Sequence, residues 1–226
     1  MKHMIKFAVA AALAGALAAC GPSGAGPEAA KSGAEKPDAA TAISPNTYQN
    51  KQLGLTVTAP EGWYVAPSDV MEKMMSAGTD LTTSNMDQRT KAAVQGSVQR
   101  TASIFTFAEH EPGSAVDYTA AVMGVTEDIG MMPGIKRGSD YFFHARKIFE
   151  QSAVPTVIAA DYSTRRIGGH EFDRMDVEMG PPGNTVKQRY FAARHGDLIF
   201  AIIQSYRTEE ELATLDKVLD SIKLDW

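Results

Sequence analysis

One cysteine in 226 residues rules out a disulfide within the chain. Strong positive charge is missing too: 22 lysines and arginines face 27 aspartates and glutamates, a formal charge of −5. That balance argues against nucleic acid as a partner, and against adsorption to anionic lipid by charge alone. No apolar run reaches the about 20 residues that an α-helix needs to span a bilayer. Catalytic signatures are missing as well. There is no Gly-x-Ser-x-Gly elbow, no His-Glu-x-x-His helix and no phosphate-binding loop. With no constellation that specifies a reaction, the chain reads as a non-enzyme and no cofactor is expected.

What the chain does have begins at its start. Two lysines, Lys2 and Lys6, precede the uncharged apolar stretch Phe7 to Ala19, the order of a secretory signal peptide. Its end, Leu17-Ala18-Ala19-Cys20, resembles the lipobox of bacterial lipoproteins. The resemblance implies cleavage before Cys20, a diacylglycerol on its thiol and acyl chains such as palmitate. Each buried methylene contributes about 0.8 kcal/mol, and two or more chains hold where one does not. Residues 1–19 are therefore expected to be a signal peptide, and Cys20 the membrane anchor. Gly21 after the cysteine implies, by the rule for Gram-negative lipoproteins, the periplasmic face of the outer membrane. Removing Lys2 and Lys6 with the signal leaves 20 basic residues against 27 acidic ones.

Residues 20–46 are rich in Gly, Pro and Ala, with Ile43 as the one large apolar side chain. Such a stretch buries too little surface to offset chain entropy, and it reads as a flexible tether. From 47 to 226 apolar and aromatic residues return in periodic patterns, enough for one domain with its own core.

Within that domain Leu55–Ala59, Gly62–Val65 and Ser103–Phe107 read as strands. The C-terminal part reads as a meander: Phe172–Met179, Val186–Arg194 and Leu198–Tyr206, the last two joined by a His195-Gly196 turn. Opposite charges predict Glu178 facing Lys187 and Asp176 facing Arg189, with Met175 against Tyr190. Across the second turn the same reasoning sets Arg194 against Asp197 and Phe191 against Phe200. Thr208 and Glu211 form a capping box for a helix whose Leu212, Leu215, Val218, Leu219 and Ile222 share a face. Ser139 is the expected cap of a second helix, Ser114–Ile129 a third and Pro67–Ala77 a fourth, with a further helical stretch around Asp87–Gln95. Leu198–Ile203 is apolar on both sides and needs cover above and below. The expected fold is an α/β/α sandwich of the α+β kind, with a mainly antiparallel sheet.

Tyr48-Gln49-Asn50 with Gly54–Trp63, ending in a Pro-x-Gly-Trp turn, resembles the opening of PsbP/DcrB-like domains. Gly168–Phe172 before the alternating strand, and the final helix ending at Ser221-Ile222-Lys223, fit as well. That superfamily includes lipoproteins and a eukaryotic Ran-binding protein. It implies the same α/β/α layers and Trp63 in the core. It also implies no shared catalysis, so no functional residue transfers. The segment from Met71 to Arg100 has no counterpart in it.

Four features suit chemistry. Glu109-His110-Glu111 carries metal-ligating side chains, although a closed zinc site needs about four ligands and a solvated loop is the simpler reading. Met71, Met74 and Met75, with Met86, Met131 and Met132, suit Cu(I) or a pliable apolar face. Arg165-Arg166, Lys136-Arg137 and Arg146-Lys147 read as solvated surface charge. Trp63 and Tyr64 suit a ligand cleft or the core, and the core is favoured. The functional expectation is a membrane-anchored envelope lipoprotein that binds a protein partner or supports an envelope assembly. The alternative is a carrier of a small ligand or metal ion.

Overall fold

The computed structural model describes residues 36–226. Its elements in chain order are β1 (Thr41–Ser44), β2 (Thr47–Asn50), β3 (Leu55–Thr58), β4 (Tyr64–Val65), α1 (Ser68–Thr83), α2 (Gln88–Arg100), β5 (Thr101–Ala108) and β6 (Ala121–Asp128). They continue as α3 (Gly138–Gln151), β7 (Thr156–Ile158), β8 (Ser163–Ile167), β9 (His170–Met179), β10 (Val186–His195), β11 (Leu198–Tyr206), α4 (Glu209–Ser221) and β12 (Lys223–Leu224). Eight strands form one antiparallel sheet in the order β4-β5-β6-β11-β10-β9-β7, with β8 also paired to β9. A smaller sheet, β1-β2-β3-β12, lies apart from it.

Alternation along the strands separates two cores. Odd-numbered residues of β9 and β11, such as Met175, Val177, Ile199 and Ile203, face α3 through Tyr141, Phe142, Ile148 and Phe149. The even-numbered Phe172, Phe200 and Ile202 of those strands, with Phe191 of β10, face α4 and the small sheet through Leu215, Leu219, Leu55 and Val57. The expected α/β/α sandwich is what is observed, with the small sheet sharing the α4 layer. Trp63 is half-buried against this second core, as expected.

The β9–β10 register matches the expectation: Glu178 faces Lys187, Asp176 faces Arg189 and Met175 faces Tyr190. The ion pairs run elsewhere, however. Lys187 reaches Glu209 at 3.7 Å, Arg189 reaches Asp216 at 3.7 Å, and Arg174 takes Asp176. The β10–β11 register differs from the expectation by two residues. His195 faces Leu198 and Ala193 faces Phe200, while Phe191 faces Ile202. The loop is Gly196-Asp197, with Gly196 at φ 58°, so the glycine takes the first central position and not the second. A displacement of two keeps every side chain on its expected face.

Ser114–Ile129 is not a helix. Ala121–Asp128 is a strand between β5 and β11, buried on both faces, which hides the period-two signal. Gly124 lies beneath the Phe105 ring, where a Cβ would come within 2.3 Å of Cε1. Ser139 does not cap α3. The cap is Arg137, with the Asp140 carboxylate accepting from the Lys136 and Arg137 N–H at 2.8 and 3.1 Å. Ser139 donates its N–H to Asp173 instead, at 2.8 Å. The capping box on α4 is present: the Glu211 N–H donates to Thr208 Oγ1 at 3.2 Å, and the Thr208 N–H to Glu211 Oε2 at 3.0 Å. Packing and pairing are also present before residue 47. Pro37 is buried, the Ala40 N–H donates to the Ile104 carbonyl at 2.7 Å, and β1 pairs with β2.

Candidate functional site

Helix α1 buries Met71, Met75, Gly78, Thr79, Thr82 and Thr83. Most of that face is small, and two of its hydroxyls bond back into the helix, Thr79 to the Met75 carbonyl and Thr83 to the Thr79 carbonyl. Beside that face, the half-buried Met74 and Leu81 of the same helix overhang the sheet. A cleft of about 590 Å³ lies there. Its floor is Thr106, Met123, Ile203, Val186 and Met179, one residue each from β5, β6, β11, β10 and β9. Met74 and Leu81 form one wall; seven residues apart, they stand about 10 Å apart along one helix face. Val154 and Pro155, after α3, form the other. The size and the mainly apolar lining are those of a small-molecule site.

Polar groups gather on one rim, from Tyr118, Asn184, Ser205 and Arg207. Arg207 Nη2 donates to Asn184 Oδ1 at 2.7 Å, and its guanidinium lies 4.6 Å from the centre of the Tyr118 ring. Arg207 Nε is buried without an acceptor. Burial raises the Tyr118 phenol far above its ordinary value; Glu211 adds to the rise and Arg207 opposes it, so it stays a neutral hydroxyl. On the floor Thr106 is 2 % exposed, and its Oγ1 has no partner. Buried polar atoms without partners are rare, and here three lie on residues lining one cavity, on Thr106, Tyr118 and Arg207.

A second unusual group lies in the first core. Glu127 on β6 accepts hydrogen bonds from Ser97 of α2 and, at 2.7 Å, from the Tyr141 hydroxyl of α3. Arg100 Nη2 stands 3.6 Å away. Burial raises the Glu127 carboxyl from 4.5 to about 7 against the pull of Ser97, Tyr141 and Arg100. Ser97, Glu127 and Tyr141 are each no more than 1 % exposed, so no substrate reaches them. The cluster joins α2 and α3 to the sheet; it does not present a reactive group.

The residues singled out from sequence are scattered. Leu17, Ala18, Ala19 and Cys20 lie outside the described residues. Glu109 and His110 follow β5, with their N–H groups donating to the Ala120 carbonyl and Thr119 Oγ1. Among the described residues, no three His, Cys, Asp or Glu side chains are grouped to hold a metal. The methionines divide: Met71 and Met75 are buried, Met131 is 70 % exposed, and only Met74 joins Met123 and Met179 in the cleft. Four of the paired cations are not simply solvated, Arg166 among them, which donates to the Gly169 carbonyl at 2.7 Å. Arg165 bridges to Asp216 and Asp220 at 2.5 and 2.8 Å, Arg137 holds Asp173, and Arg146 donates to the Ala159 carbonyl at 2.5 Å. The cleft itself has no sequence motif. Its lining spans residues 74 to 207, and each residue there reads as ordinary core or loop.

No family model and no curated protein matches the chain. Several solved structures are similar to it. The solution structure of the cyanobacterial PsbP of Synechocystis sp. PCC 6803 has 10 % identity over 92 % of this chain and 99 % of that one, with a TM-score of 0.47. LpqN of Mycobacterium tuberculosis, described as involved in cell envelope biogenesis, has 13 % identity over 76 % and 83 %, with a TM-score of 0.41. PA94 of Pseudomonas aeruginosa, a protein of unknown function, has 13 % identity over 51 % and 78 %, with a TM-score of 0.38. The PsbP protein is of the kind named by the resemblance at Tyr48–Trp63. All three scores are below 0.5, so the functional reading rests on the cleft. Among the described residues no helix is long and apolar enough to cross a membrane.

Proposed function

We propose that this chain is a lipid-anchored protein of the bacterial cell envelope whose domain holds an apolar small molecule, without catalysis, in the cleft beneath α1. The observation that carries this is the cleft of about 590 Å³, with a methionine- and aliphatic-lined floor and a few polar groups at its rim. Anchoring through Cys20, on the periplasmic face of the outer membrane, belongs to the proposal on the strength of the Leu17–Cys20 motif.

Nile red tests the reading. Its emission is expected to rise and shift blue with the wild-type domain, and to do neither with Ala153→Trp, which fills the cleft from a loop. Both proteins should unfold at the same urea concentration. No response from a folded wild-type protein ends the reading.

A protein partner in the envelope is the second reading. Phe143 on α3 and Val157 on β7 support it, at 54 % and 70 % exposed on neighbouring elements. Crosslinking in intact cells that recovers nothing above background counts against it.

A further inference from the structure

We infer that the occupant of the cleft is a single-chain amphiphile with an anionic oxygen head: an extended acyl tail along the floor and a carboxylate or phosphate at Arg207. This rests on the reading that the cleft holds an apolar ligand.

The shape speaks for one extended chain. Thr106, Met123, Ile203, Val186 and Met179 lie on five adjacent strands. Thr106, Met123 and Ile203 form one row, and Val186 with Met179 lies four residues farther along β10 than Tyr190, which faces Ile203. Four interstrand steps of about 4.8 Å and about four residues of strand rise make a diagonal trough roughly 23 Å long. A cleft of about 590 Å³ drawn out over that length is elongated, the shape of an extended chain and not of a compact ring system. The floor is flexible as well, since Met123 and Met179 on it and Met74 on the wall adapt to a tail of variable kink.

The polarity places the head. Ser205 pairs with Ala121 at the ends of β11 and β6, and Arg207 lies two residues beyond, tied to Asn184 of the β9–β10 loop. The polar groups therefore stand together on one rim. Arg207 brings a cation whose Nε is buried and unmatched, and Tyr118 adds a hydroxyl that keeps its proton. Both are donors, and an anionic oxygen satisfies donors that a neutral tail leaves unmatched.

Acidic neighbours do not cancel this. Asp117 on the rim is exposed, where water and salt screen it. The Glu211 carboxylate already accepts the N–H groups of Arg207 and Thr208, at 2.6 and 3.0 Å. The Thr106 hydroxyl, buried and unpartnered on the floor beside Met123, offers one more contact to a chain carrying an oxygen substituent.

The test uses the full chain in membranes. A 16-carbon carboxylate with a mid-chain diazirine and a terminal alkyne is compared with the matched primary alcohol, and crosslinks are mapped to peptides of this chain. The carboxylate is expected to label the cleft peptides roughly tenfold more than the alcohol. Arg207→Gln should bring the carboxylate down to the alcohol's level and leave alcohol labelling unchanged. Competition by unlabelled hexadecanoate or by a monoacyl glycerophosphate identifies the source of the head group. Equal labelling by the two probes in the wild type overturns the anionic head while leaving an apolar cleft. Cleft peptides labelled by neither probe overturn the cleft reading itself. The wild-type comparison decides even if Arg207→Gln fails to fold.

Discussion

Replacing Glu127 with Gln should make the stability of this domain less dependent on pH. In the folded chain burial holds the carboxyl at about 7, against an ordinary 4.5. Between those values the folded state keeps a proton that the unfolded state has released, so stability falls as pH rises through the window and levels off above it. At about 1.4 kcal/mol per pH unit, the loss is about 3 kcal/mol. Arg100 offsets little of this, because its Nη2 stands 3.6 Å from the carboxylate and its Nε and Nη2 lack acceptors. Glu127→Gln removes the titration and keeps the shape, with the side-chain amide still able to bond Ser97 or Tyr141. Urea unfolding of residues 36–226, followed by the fluorescence of Trp63 and Trp226, measures the effect from pH 4.5 to pH 8.5. The variant should gain about 2–3 kcal/mol relative to wild type from the low end to the high end. Profiles parallel to within about 0.5 kcal/mol, the usual scatter of a surface change, would refute the buried-acid account.

Two further outcomes follow from single residues. Gly124→Ala drives a methyl group into the Phe105 ring and should cost about 1–3 kcal/mol in urea unfolding, recovered in part by Phe105→Leu; a neutral Gly124→Ala rejects that packing. Cys20→Ser should abolish palmitate labelling of the chain in cells, and labelling that persists removes the proposed anchor.

Local rules carried the reading of the fold furthest where a strand has one buried and one exposed face. The β9–β10 register was legible because Met175, Val177 and Met179 alternate with charges, although those charges bond α4 and each other and not the facing strand. Where both faces are buried the alternation vanishes. Ala121–Asp128 then carries the Ala, Val and Met content of a buried helix, and only Gly124 and the β-branched residues speak against it. The hairpin at Gly196 turned on which central position the glycine takes, a choice two residues wide that facing parity cannot settle. The cleft was illegible for another reason. Its lining is drawn from α1, five strands and the loops between them, scattered from residue 74 to 207, and an unfilled volume leaves no motif.

The large sheet ends at each side on strands too short to recruit a neighbour. At one side β4 offers two residues, Tyr64 and Val65. At the other, β7 and β8 share the length of β9 as separate pieces of three and five residues, with the chain leaving the ladder between them. An open edge is a template for joining chains, and short or broken edges blunt it. Where many copies meet at high local concentration, ragged edges keep sheets from zipping into one another. The broken β7–β8 edge thus disfavours edge-to-edge pairing between copies of this domain.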